Sequence, residues 1–132
     1  MVVLGNRLAQ VLDAAGTDPE TDERAALAAI DRARLADGRA AEKLQSRVDG
    51  ARVATLSRSG TVEMALSNGD PAAVLLPESR PGREGVGVAE DLAAETAVTL
   101  TSDAAFPGQL ESWTADLLVV GADAVLPDGA VR

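Results

Sequence analysis

Four short runs of apolar residues punctuate the second half of the chain, at Arg52–Ser57, Ala72–Pro77, Ala97–Thr101 and Leu117–Gly121. The runs are continuous rather than alternating, which predicts strands covered on both faces. Between them the apolar spacing is helical. Val62, Ala65 and Leu66 share one side of a stretch over Thr61–Ser67, and Val88 and Leu92 lie one turn apart within Gly85–Glu95. A third, short helix is predicted over Gly108–Thr114. Strand and helix alternate with short joins, so the expected fold is α/β: a parallel sheet of about four strands, flanked by helices and wound by right-handed crossovers.

The first 50 residues read differently. Leu4, Leu8, Val11, Leu12 and Ala15 repeat at helical spacing over residues 2–15. Thr17-Asp18-Pro19-Glu20 has the form of a capping box with proline in the first turn. It opens a second predicted helix over Pro19–Ala36, alanine-rich, with Leu27 and Ile30 inward and Asp37-Gly38 as its stop. A third runs over Arg39–Val48 with Leu44 and Val48 on one face, before the turn Asp49-Gly50. The expected organisation is a helical segment at 1–50 followed by an α/β domain at 51–132.

Composition narrows the chemistry. Among 132 residues there is no cysteine and no histidine. Thiolate sites, disulfides, imidazole bases and ordinary zinc centres are therefore excluded, and no metal or cofactor is expected. No run approaches the length of a membrane span, and the N-terminus lacks the pattern of a secretory signal. The net charge of −9 argues against direct binding to nucleic acid or an anionic membrane. Eleven of the 12 basic residues are arginine, the exception being Lys43. An acidic, lysine-poor surface suits a salt-rich cytoplasm; a GC-rich genome favouring arginine explains the same bias. The charge is uneven: residues 1–50 hold 7 basic and 9 acidic groups, residues 51–132 hold 5 and 12. Between Glu84 and Val131 there is no cationic side chain, so an anionic ligand has Arg58, Arg80 and Arg83 as its candidates.

Ligands of open parallel sheets bind beyond the carboxyl ends of the strands. That rule selects the loops Ser57-Arg58-Ser59-Gly60-Thr61, Glu78–Gly85, Ser102-Asp103-Ala104 and Gly121-Ala122-Asp123. The first has the parts of an anion cradle, in which small residues let the backbone approach a phosphate and the next helix offers free N–H groups. Ser-rich turns before helices are also ordinary N-caps, the commoner reading of such a loop. It is not a Walker motif, since the Gly-Lys-Ser/Thr ending is missing. The second loop brings Arg80 and Arg83 together, or is a proline-glycine turn with surface arginines. Asp123 can hydrogen-bond a sugar hydroxyl, act as general acid/base, or cap a turn. Asp103 is read as a turn cap. Asp103, Asp123 and Asp128 would attract magnesium only if they converged. Phe106 and Trp113, the only aromatics, are expected to pack against the sheet.

Four stretches together resemble a known family: Thr55–Val62, Glu78–Gly85, Thr99–Ala105 and Val119–Val131. That family contains the alpha, beta and delta subunits of translation initiation factor 2B, methylthioribose-1-phosphate isomerase and ribose-1,5-bisphosphate isomerase. The resemblance implies a Rossmann-like domain after an all-helical region, cytoplasmic and assembled into homodimers or larger oligomers. It implies a phosphorylated sugar or nucleotide as ligand, for which the strand-end loops offer Arg58, Ser59, Gly60, Thr61, Arg80, Arg83 and Gly121 as candidates. In the isomerases it implies aldose–ketose interconversion on a sugar 1-phosphate, using a cysteine and an aspartate. The aspartate corresponds to Asp123, and the cysteine position holds Ser57.

A serine hydroxyl is un-ionised near neutral pH and replaces a thiolate poorly. The histidine that often precedes the cysteine is Leu56 here. The helical segment is shorter than the family's, and the family's Asn-Lys pair after Val131 is not in this sequence. These departures lead to the expectation of a regulatory or binding protein with a remnant sugar-phosphate or nucleotide pocket. The alternative is an isomerase in which Asp123 works with Ser57.

Overall fold

The computed structural model describes residues 19–122. The predicted helix over residues 2–15, and Asp123 with everything after it, lie outside the described residues. Eight elements follow in order: α1 (Pro19–Val48), β1 (Arg52–Thr55), α2 (Gly60–Asn68), β2 (Ala73–Pro77), α3 (Glu84–Leu92), β3 (Val98–Thr101), α4 (Phe106–Trp113) and β4 (Leu117–Val119). Residues Gly38–Gly121 form one compact unit, and residues 19–37 with Ala122 fall in another.

The break expected at Asp37-Gly38 does not occur, and α1 is a single helix of 30 residues. A mid-helix glycine costs about 1 kcal/mol relative to alanine. That is too little to stop a helix whose neighbours are Leu35, Ala36, Ala40 and Ala41. Leu27 and Ile30, expected inward, are 54% and 47% exposed. Helical spacing puts two apolar residues on one stripe, but it does not supply a surface to cover them. The stop comes where Asp49-Gly50 predicts it. Gly50 takes φ +70°, the left-handed conformation that suits glycine at a helix end. Its N–H donates to Asp70 O at 2.7 Å, and Asp49 Oδ1 accepts the Asp70 N–H at 3.0 Å.

All four strands are parallel, in the order β3-β2-β1-β4. The register sets Val53 beside Val74 and Leu117, and Leu75 beside Thr99. One face packs Val53, Val74 and Leu76 against Val62 and Leu66 of α2, Val88, Ala89 and Leu92 of α3, and Val48 at the end of α1. The other packs Ala54 and Leu75 against Phe106, with Leu110 and Trp113 of α4 beside them. Both aromatics thus serve the core, and Trp113 also stacks under the Arg52 guanidinium at 4.2 Å.

Helices on both faces explain why the central strands β1 and β2 read as continuous apolar runs. The edge strands depart from that expectation. Leu100 of β3 and Leu118 of β4 are 41% and 51% exposed, since among the described residues each of these strands has a neighbour on one side only.

Candidate functional site

Strand order decides where a ligand belongs. The chain steps outward from β1 to β2 to β3, then returns to the far side of β1 for β4. The direction of winding reverses between β1 and β4, and a crevice forms at such a switch point beyond the strand ends. The loops at that point are Leu56–Ser59 after β1 and Val120-Gly121 after β4.

These loops meet closely. A Cβ added to Gly121 would lie 2.6 Å from Ser59 Cβ and 2.7 Å from Ser59 Oγ. Glycine at 121 is what lets the two backbones approach. Ser59 is the N-cap of α2, in extended conformation, yet its side chain makes no capping hydrogen bond. Among the described residues the hydroxyl makes no hydrogen bond, and the first-turn N–H groups of Gly60, Thr61 and Val62 next to it in the chain have no intrahelical acceptor. Ser59 thus takes the N-cap position without the side-chain hydrogen bond of an ordinary cap.

The four carboxyl-end loops share a construction. The second residue beyond each strand is Ser57, Ser79, Asp103 and Gly121 respectively. Ser57 and Ser79 both adopt left-handed backbone, with φ 62° and 60°. The Ser57 N–H donates to Ser79 Oγ at 3.1 Å. The Ser79 N–H donates to Asp103 Oδ1 at 2.9 Å, and the Arg80 N–H donates to Asp103 Oδ2 at 3.0 Å. Asp103, expected to cap its own turn, instead reaches across to the loop after β2. The Arg80–Pro81 peptide bond is cis.

The three arginines are placed differently. Arg58 Nη2 bonds both Glu63 Oε2 of α2 and Asp91 Oδ2 of α3 at 3.0 Å. The Glu63 carboxylate first, and Asp91 after it, hold the guanidinium above its ordinary value. Gly87 gives it room, since a Cβ there would lie 3.2 Å from Arg58 Nη1. Arg80 Nη2 pairs with Glu78 Oε2 at 2.9 Å. Arg83 is the N-cap of α3 with φ 60°. It is exposed, and among the described residues its side chain makes no ion pair.

Ser57, Arg58, Ser59, Gly60 and Thr61 thus lie along one loop and helix start, with Gly121 against them. Arg80 joins through the backbone of its loop, and Asp123 lies outside the described residues. Sequence reasoning missed Glu63, Asp91 and the joint at Ser79. Glu63 sits five residues from Arg58 and was findable as a first-turn acid of α2. Asp91, 33 residues away, carries no local signal. Among the described residues no three acidic side chains gather as a metal site, and no helix is long and apolar enough to cross a membrane.

The fold has solved counterparts in Pyrococcus horikoshii OT3. A translation initiation factor eIF-2B superposes with a TM-score of 0.75 at 24% identity, over 95% of this chain and 48% of that one. A 5-methylthioribose 1-phosphate isomerase superposes with a TM-score of 0.67 at 20% identity, over 96% of this chain and 41% of that one. The chain therefore spans about half the length of the first and less of the second, and at these identities the likeness is one of fold. No curated protein sequence matches it. The sequence model of the initiation factor 2 subunit family (IF-2B) matches residues 1–132. With that match over the whole sequence, the chain belongs to the initiation factor 2 subunit family.

Proposed function

We propose that the chain is a binding member of its family, taking a phosphorylated sugar or nucleotide at the β1/β4 crevice without isomerising it. The observation that carries this reading is the uncommitted Ser59 hydroxyl beside the free first-turn amides of α2, at the switch point and against Gly121. Backbone N–H groups at a helix start favour an anion. Arg58 keeps Nε and Nη1 uncommitted among the described residues while Glu63 and Asp91 steady Nη2. Arg83 adds a cation, and Asp123 is assigned to a ligand hydroxyl.

Ser57 supports the non-catalytic half. Its hydroxyl occupies the position where the isomerases carry cysteine, and an un-ionised hydroxyl is a weak acid for opening a C1-phosphorylated ring. We read the protein as a cytoplasmic homodimer or larger homo-oligomer, a state that sedimentation velocity tests directly.

Calorimetry with inorganic phosphate, ribose 1,5-bisphosphate, methylthioribose 1-phosphate and adenosine monophosphate tests the pocket. Binding of at least one phosphorylated compound, weakened at least tenfold by Ser59→Ala combined with Arg83→Ala, is the expected result. Absence of binding by the intact chain rejects the reading. Formation of ribulose 1,5-bisphosphate, or of the ketose from methylthioribose 1-phosphate, in a way that depends on Asp123 overturns its non-catalytic half.

A further inference from the structure

The row of residues two places beyond each strand has a direction. Asp103 accepts from the backbone of Ser79 and Arg80, and Ser79 in turn accepts from the backbone of Ser57. One carboxylate at the β3 edge is thereby linked through two hydrogen-bonding steps to the loop that borders the crevice. Resting on the pocket reading above, we propose that Asp103 is a positioning residue for the phosphorylated ligand: its carboxylate fixes the loop after β2, and through Ser79 it fixes Ser57 and the start of α2.

Two backbone facts make such a fastening necessary. Ser57 and Ser79 are held at positive φ, where a side chain crowds the following carbonyl. Left alone, both residues relax toward extended or right-handed backbone, and the N–H groups of Ser79 and Arg80 turn to water. The Asp103 carboxylate opposes this because its two oxygens take two consecutive N–H groups at 2.9 and 3.0 Å, and hydrogen bonds to an ionised acceptor are the stronger class. The Ser79 hydroxyl passes the constraint on. It accepts from Ser57 and donates to Pro77 O at 3.4 Å, at the end of β2. Asp103 touches no ligand in this account; it acts through Ser79.

Asp49 supplies a matched control, since its carboxylate likewise accepts a backbone N–H, that of Asp70 at 3.0 Å. Asp70 precedes β2, at the opposite end of the sheet from the crevice.

The test uses the full chain with Asp103→Ala, Asp103→Asn and Asp49→Ala. Amide hydrogen exchange and calorimetric binding of ribose 1,5-bisphosphate are measured for each. In Asp103→Ala the amides of Ser57, Ser79 and Arg80 exchange about tenfold faster or more, while those of Val88 and Leu92 stay protected. Affinity for ribose 1,5-bisphosphate falls about tenfold or more in parallel. Asp103→Asn, which keeps one acceptor oxygen, is intermediate in both measures. Asp49→Ala leaves affinity within about twofold of the parent. Unchanged exchange at Ser57 in Asp103→Ala overturns the proposal, as does an equal loss of affinity in Asp49→Ala. If the parent chain does not bind ribose 1,5-bisphosphate or any other phosphorylated compound tried, the pocket reading fails, and exchange at Ser57 still decides whether Asp103 sets its conformation.

Discussion

Gly121 has no room for a side chain. Its missing Cβ would fall inside van der Waals distance of both Ser59 Cβ and Oγ, so Gly121→Ala pushes the loops after β1 and β4 apart. The expected cost is about 1–2 kcal/mol of stability from overpacking, read from a urea midpoint, together with about a tenfold loss of affinity for whichever phosphorylated compound the parent binds. Gly85 is constrained more severely, because its Cβ would run into the carbonyl of Pro77. A backbone oxygen cannot swing aside, so Gly85→Ala is expected to lose about 3 kcal/mol or more in the same measurement. At this scale the sequence exposes part of the site and hides the rest. Ser57 through Thr61 were readable because small hydroxyl residues before a helix are a local pattern. The ties from Asp91 to Arg58 and from Asp103 to Ser79 were not, because both partners come from different loops or helices and no spacing rule joins them.

Beyond α1, where an expected break is absent, the described elements were legible to within a few residues, for a physical reason. Burial between two helix layers makes β1 and β2 apolar without interruption, and such a run has few alternative readings. Where burial is one-sided or incomplete, the reading drifted. The fourth helix begins at Phe106 rather than Gly108, since proline in a first turn and the glycine after it look like a turn in one dimension. Gly38 misled in the same way. Nothing lies within 4 Å of a Cβ placed there, so Gly38→Ala is expected to stabilise the protein by about 0.5–1 kcal/mol, seen as a higher urea midpoint. Exposure separates two leucines on the same face of the sheet. Leu75 is fully buried and Leu118 is 51% exposed. Leu75→Ala is expected to cost about 2–5 kcal/mol, and Leu118→Ala less than about 1 kcal/mol, in paired denaturation curves.

For the whole molecule, the sheet's membership was readable and its order was not. Nothing in the runs themselves says that the fourth strand lies beside the first, and the location of the crevice depends on that adjacency. The net charge of −9 acts at the same scale. Like-charge repulsion weakens as salt shortens the screening length from about 10 Å at 0.1 M to about 3 Å at 1 M. The midpoint of thermal unfolding is therefore expected to rise between 0.1 and 1 M potassium chloride, and a flat or falling midpoint removes the case for a salt-rich setting. The placement of β4 has a temporal consequence. It has three residues, and among the described residues its strand pairing is with β1 alone, more than 60 positions earlier in the chain. Joining so distant a pair costs more chain entropy than joining neighbours. Of the four described strands, this ribbon is then expected to arrive late as the polypeptide folds and to depart early when it loosens, an order that pulsed hydrogen exchange at Leu117, Leu118 and Val119 checks.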